Sequence, residues 1–151
     1  MKMDTLLWAL MGVVAGVCIA VQAPVNVQLG KALGMLFAAA AMSFLAGAIA
    51  LWIISFGLSA INGTPIQFGA PAPWLFATGG LLGAFFVTST IVLTPMIGTA
   101  AVMALAIAGQ LLAGLTLDKI GFLGTAAREI SMGRVAGAAL LVVGALMIRL
   151  L

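Results

Sequence analysis

The chain is written in long apolar runs with short polar punctuation. From Thr5 to about Gly30 the run is interrupted by Gln22, Pro24, Asn26 and Gln28. A second run covers about Met35 to Leu58, a third Pro73 to Thr94, a fourth Thr99 to Leu117 and a fifth Gly133 to Leu151. A hydrocarbon core of about 30 Å takes about 20 apolar residues as helix, and every run is close to that length or longer. Polar and apolar positions do not alternate within them, as Leu36 to Ile54 shows, which excludes the strands of a membrane barrel. The pattern predicts an all-α membrane protein. Its single transmembrane domain covers residues 1–151, with helices near 5–30, 35–58, 73–94, 99–117 and 133–151.

Lys2 ahead of an apolar stretch has the outline of a signal peptide. That stretch is long enough to span and further apolar runs follow, so it reads as the first transmembrane helix. The turn at Lys31 is short, which makes the first two helices antiparallel neighbours. Ser59 to Ala72 holds Asn62-Gly63, Pro65 and Pro71 and is rich in turn signals. Asn62-Gly63-Thr64 matches a glycosylation sequon but reads as a tight turn.

Composition narrows the class further. Hydrophobic residues make up 65% of the 151 and charged residues 6%, whereas a soluble domain is about 45–50% apolar and about 25% charged. The net charge of +3 is spread too thinly for a nucleic-acid footprint, which needs Lys and Arg gathered on one face. Cys18 is the only cysteine and there is no histidine. Neither an internal disulfide nor a histidine-based metal site is available, and no cofactor is implied.

Five helices put the two ends of the domain on opposite sides of the membrane. Lys2, Lys119, Arg128 and Arg134 then fall on the N-terminal side, and Lys31 and Arg149 on the other. Positively charged loops favour the cytoplasm, but this bias is small and permits insertion either way round. Trp8, Trp52 and Trp74 also gather near the N-terminal side. Aromatic anchors normally serve both interfaces, and an inverted second copy would supply the missing belt.

The polar residues within the runs are the candidates for function. Gln22 and Asn26 are four apart and share a helix face. Pro24 lacks an N–H and frees the carbonyl of Ala20, so this stretch reads as a helix break. Gln22 lies about 13 Å short of Lys31 at 1.5 Å per residue, placing the break within or at the edge of the hydrocarbon. Interrupted helices with amides nearby are typical of transporter sites. Asn26 and Gln28 can also be read as interfacial, and Gln22 as a tie between helices. Gln110 sits near the middle of the fourth run, where an amide needs partners, either another helix or a solute. Thr88-Ser89-Thr90 cannot all face one pathway, and hydroxyls readily bond carbonyls of their own helix. Ser43, among Ala39 and Gly47, has the same two readings. Gly133, Gly137 and Gly144 give the last helix a smooth face suited to close packing or dimerisation. No ionisable residue lies mid-helix. Proton-coupled carriers usually have one, and no catalytic constellation is visible, so an enzyme is not expected.

The order of these features resembles a known group. Gln22-Ala23-Pro24-Val25-Asn26-Val27-Gln28-Leu29-Gly30 and Ser43-Phe44-Leu45-Ala46-Gly47 look like its first two helices. Gly80-Leu81-Leu82-Gly83-Ala84-Phe85-Phe86-Val87 and Pro95-Met96-Ile97-Gly98-Thr99-Ala100 look like its third. Ala108-Gly109-Gln110-Leu111-Leu112 followed by Leu117-Asp118-Lys119-Ile120-Gly121 is similar to its fourth. The group is the half-size, five-helix inner-membrane proteins of the drug/metabolite transporter superfamily. The resemblance implies two five-helix halves in opposite orientations, an inverted assembly of ten helices formed as a dual-topology homodimer, a paired heterodimer or a fused ten-helix chain. It does not extend to the membrane-embedded glutamate that the related four-helix exporters carry in their first helix.

Together these features predict a transporter that moves a small polar solute across the lipid bilayer by alternating access. It would pair with a second copy of itself, with Gln22, Asn26, Ser43, Thr88 and Gln110 lining the pathway. Two rivals remain on the same scaffold: a passive channel or facilitator, and a non-transporting subunit of a heteromeric complex.

Overall fold

A computed structural model describes residues 3–125 and 127–150. Among them are five helices long and apolar enough to cross a membrane, and no strands. They are α1 (Met3–Leu33), α2 (Leu36–Asn62), α3 (Leu75–Ile97), α4 (Thr99–Ile120) and α5 (Met132–Leu150). A single 3-10 turn, Phe122–Gly124, follows α4. The chain divides into two compact units, up to Pro95 and from Met96 onward.

Helix ends run beyond the apolar runs that announce them. α1 contains 31 residues and is about 46 Å long at 1.5 Å per residue, more than the hydrocarbon is thick. Hydropathy marks the part of a helix that lies in lipid. The helix itself stops where the backbone is given another way to satisfy its polar groups, and here glycine supplies that exit. Gly34, at φ +68°, turns the chain between α1 and α2. At the end of α2, Gly63 is left-handed at φ 63° and its N–H bonds the Ser59 carbonyl. The Thr64 N–H reaches the same carbonyl at 3.2 Å, giving a Schellman-type cap. The sequon residues Asn62-Gly63-Thr64 therefore form the cap and turn. Beyond it Phe68 returns to Trp52, whose ring also stacks on Phe56 with centroids 5.3 Å apart.

Neither proline ends its helix. Pro24 lies inside α1 and Pro95 inside α3. Where an interruption is expected at Pro24, the helix runs through. One proline removes one N–H and leaves one carbonyl, Ala20 or Ile91, without its helical partner. The turns on either side keep theirs, and lipid offers the backbone no competing water.

In the first unit α1 and α2 form an antiparallel hairpin. Ala23, Asn26, Val27 and Gly30 are the buried positions of α1, spaced three and four apart on one face. A Cβ on Gly30 would sit 3.2 Å from Leu36 Cδ2 and 3.6 Å from Ala39 Cβ, so glycine sets how close the two helices come. Val27, Ala39 and Ala40 pack with Val87 and Ile91 of α3 into the buried cluster, flanked by Leu29 and Phe86. The Phe44 ring lies over Gly83, whose Cβ would be 3.0 Å from it. Most large apolar residues point outward, Ile61 at 81% and Phe85 at 76% exposure. This surface suits lipid, which solvates leucine as well as another helix does.

In the second unit α4 and α5 pack against each other. α4 ends on Gly121 at φ 61°. The intervening loop is tied back to it by the Arg128 N–H bonding the Asp118 carbonyl at 2.9 Å. Ser131 opens α5, its Oγ accepting from the Arg134 N–H at 3.3 Å. Ala138 and Ala145, seven apart on one face, are the buried residues of α5. A Cβ on Gly137 or Gly144 would meet nothing within 4 Å, and one on Gly133 only Ser131 Oγ at 3.9 Å, so these glycines lie open within the chain.

Because Gly30 sits against α2, Gly30→Leu is expected to destabilise the protein by about 1–3 kcal/mol through overpacking. Gly12→Leu, where nothing lies within 4 Å, should shift stability by less than about 0.5 kcal/mol. Unfolding titrations in detergent would separate the two.

Candidate functional site

The predicted pathway residues do not gather at one point. Gln22 of α1 and Ser43 of α2 meet directly, the amide Nε2 donating to Oγ at 3.2 Å. Both line a groove of about 330 Å³ whose other walls include Phe44, Gly47 and Leu51. The hairpin explains the meeting: the two helices run antiparallel from a turn at Gly34, which brings these positions to the same level. Side-chain hydrogen bonds within membranes average about 0.6 kcal/mol, so this one can be exchanged for a bond to a solute at little cost.

Asn26, one turn further along α1, is 3% exposed. Its Nδ2 has no hydrogen-bond partner. An amide donor kept from water without a partner costs about 1–3 kcal/mol. Pro24 and Gln28 are exposed.

Thr88 lies elsewhere in the first unit. It lines a separate groove of about 410 Å³ with Phe37, Phe85 and Ser89. Its neighbour Thr90 is buried and satisfies itself, Oγ1 donating to the Val87 carbonyl at 2.8 Å. Thr94 Oγ1 is buried without a partner.

Gln110 belongs to the second unit. It lines a groove of about 400 Å³ between α4 and α5, together with Leu111, Leu115 and Leu141. Asp118 and Arg134 stand in the same groove, joined by an ion pair at 3.3 Å. Their side chains are 44% and 37% exposed, so the pair contributes at most about 1 kcal/mol, less as salt rises. The sequence reading did not pick out this pair as part of a groove. Its signal was spacing: Gln110, Gly114 and Asp118 repeat every four residues, and Arg134, Gly137, Ala138 and Leu141 follow the helical repeat.

Five membrane-length helices with a few amides and hydroxyls facing grooves define a multi-pass membrane protein. The family model described as "Putative inner membrane exporter, YdcZ" matches residues 7–147. The chain belongs to this YdcZ family, of the drug/metabolite transporter type. It is a multi-pass protein of the inner membrane, and its family is one of exporters rather than of enzymes. Neither the curated proteins nor the solved structures compared with it gave a match.

Replacing Asn26 by leucine removes an unmet donor and keeps much of the volume. Asn26→Leu is expected to leave stability unchanged or raise it by up to about 1 kcal/mol, whereas Ile91→Ala in the same unit should lower it by about 2 kcal/mol or more. Detergent unfolding of the purified variants checks both.

Proposed function

We propose that this chain is one half of an inverted homodimer that exports a small, polar, uncharged or weakly charged solute by alternating access. The observation that carries this reading is the Gln22–Ser43 pair at 3.2 Å on the wall of a groove. It lies about 13 Å along the helix from Lys31, in helices otherwise apolar at that depth. Amides and hydroxyls both donate and accept, so a neutral solute can replace their mutual bond with no net charge entering the membrane. The Asn26 donor, unpartnered one turn away, would be satisfied in one of the two states of the cycle. A solute drives such a cycle only through its different affinity for the two states. Thr88 and Gln110 would extend the polar lining in the assembled dimer.

The inverted arrangement draws its support from the small Lys and Arg bias and from tryptophans near one side only. The open face at Gly137 and Gly144 offers a smooth surface for a second copy, since small residues let membrane helices approach. The lack of ionisable residues in the middle of the helices gives weight to a facilitator on the same scaffold. Exchange that saturates and accelerates when solute is present on the far side identifies the carrier.

Reconstitution into liposomes with a panel of neutral and weakly charged solutes tests the reading. Gln22→Ala should reduce transport of the responding solute about tenfold, the value of 1.4 kcal/mol of lost differential binding, with Ser43→Ala similar or milder. Normal transport by both variants would overturn the assignment of the pathway. Single cysteines placed at the two ends of the domain in a Cys18→Ala background should label from both sides of the membrane. Labelling of each end from one side only would overturn the inverted dimer.

A further inference from the structure

The α4–α5 groove shares Gln110 and Gly137 with the reading above, which leaves its charged outer end, Asp118 and Arg134, without a role. It runs along α4 from Gln110 to Asp118 and along α5 from Arg134 to Leu141. At 1.5 Å per residue that is about 10–12 Å, most of the depth of one leaflet of a 30 Å hydrocarbon core. Its outer end holds the Asp118–Arg134 pair, beside Lys119 in the last turn of α4 and the loop that carries Arg128 and Glu129. Below the pair the groove is lined by Leu111, Leu115 and Leu141 with the small residues Gly114, Gly137 and Ala138 between them. The lining turns polar again only at Gln110.

We infer that this groove seats one acyl chain of a phospholipid whose head group carries both a phosphate and a primary ammonium. The charge pattern selects that head group. A purely anionic head would take Arg134 and leave Asp118 uncompensated, and a purely cationic one would do the reverse. A zwitterion opens the weak, half-exposed pair and satisfies both members. The Arg134 guanidinium binds phosphate oxygens through its planar fork, and the Asp118 carboxylate accepts N–H bonds from the ammonium. A trimethylated ammonium has no N–H to offer and loses the second contact. The position of the pair at the end of the helices, where charge meets the interface, places the head group among other head groups. The leucines beneath it lie in the hydrocarbon of the same leaflet.

The experiment is native mass spectrometry of the full chain purified in detergent. Phosphatidylethanolamine, phosphatidylcholine and phosphatidylglycerol with matched acyl chains are added in turn. Phosphatidylethanolamine should be retained about fivefold more than either of the others, the worth of about one partly exposed charge-assisted hydrogen bond. Asp118→Asn should erase the preference over phosphatidylcholine, and Arg134→Gln should weaken retention of all three. Gly114→Leu keeps both charges and fills the groove. Nothing lies within 4 Å of a Cβ there, so the variant folds and should lose retention of every lipid.

Equal retention of the three lipids would overturn the proposal, as would a preference for phosphatidylglycerol. So would displacement of the lipid by glycerophosphoethanolamine at the same concentration as by the intact lipid, because the acyl chain would then contribute nothing. If a second copy or another part of the chain fills the groove instead, wild type and Gly114→Leu retain lipid alike, and the proposal fails. Transport by the Gln22 and Ser43 variants is a separate readout, so failure of one reading is distinguishable from failure of the other.

Discussion

Every feature of this protein follows from a solvent that cannot form hydrogen bonds. In lipid each backbone N–H and C=O must find its partner within the protein, and a helix is the simplest way for one segment to do so. The same solvent removes the usual reason for helices to associate, since leucine is as well solvated by acyl chains as by other leucines. Association then depends on how closely backbones can approach. That is why the core of the first unit is built on Gly30, Ala39 and Ala40, while its largest residues face outward.

Polar groups become rare and consequential under the same constraint. Thr90 closes on a carbonyl of its own helix, and Asp118 pairs with Arg134 at a helix end. Gln22 finds Ser43 across the hairpin. Among the described residues Asn26 Nδ2 and Thr94 Oγ1 are the exceptions, buried without a partner. In the proposed cycle the Asn26 donor would be satisfied in one of the two states. On the same proposal, the weak Gln22–Ser43 bond would be open to exchange with a solute. No charge lies in the middle of a helix, so in the proposed pathway discrimination would rest on hydrogen bonding and shape.

Much of this was legible in the residues alone. The apolar runs announced five spans, and the ordered motifs around Gln22 and Gln110 announced the family. Glycines 34, 63 and 121 stand where helices turn out, as left-handed positions require. Helix ends were less legible: Leu33, Asn62, Ile97 and Ile120 lie beyond the apolar stretches, because hydropathy reports lipid and hydrogen bonding reports helix. Pro24 read as a break, but loss of one bond did not outweigh the intact turns beside it.

The residues by themselves determined the solvent, the number of spans, the family and which few side chains could do chemistry. Those are consequences of composition and of spacing along a single helix. Which of them meet was decided only by tertiary structure. The hairpin joined Gln22 to Ser43 and buried Asn26, gave Thr88 a groove of its own, and set Asp118 and Arg134 in one groove with Gln110. Contacts between helices depend on rotation and distance, which here are set by where a glycine or alanine lets one backbone approach another, and no periodicity within a single segment encodes that.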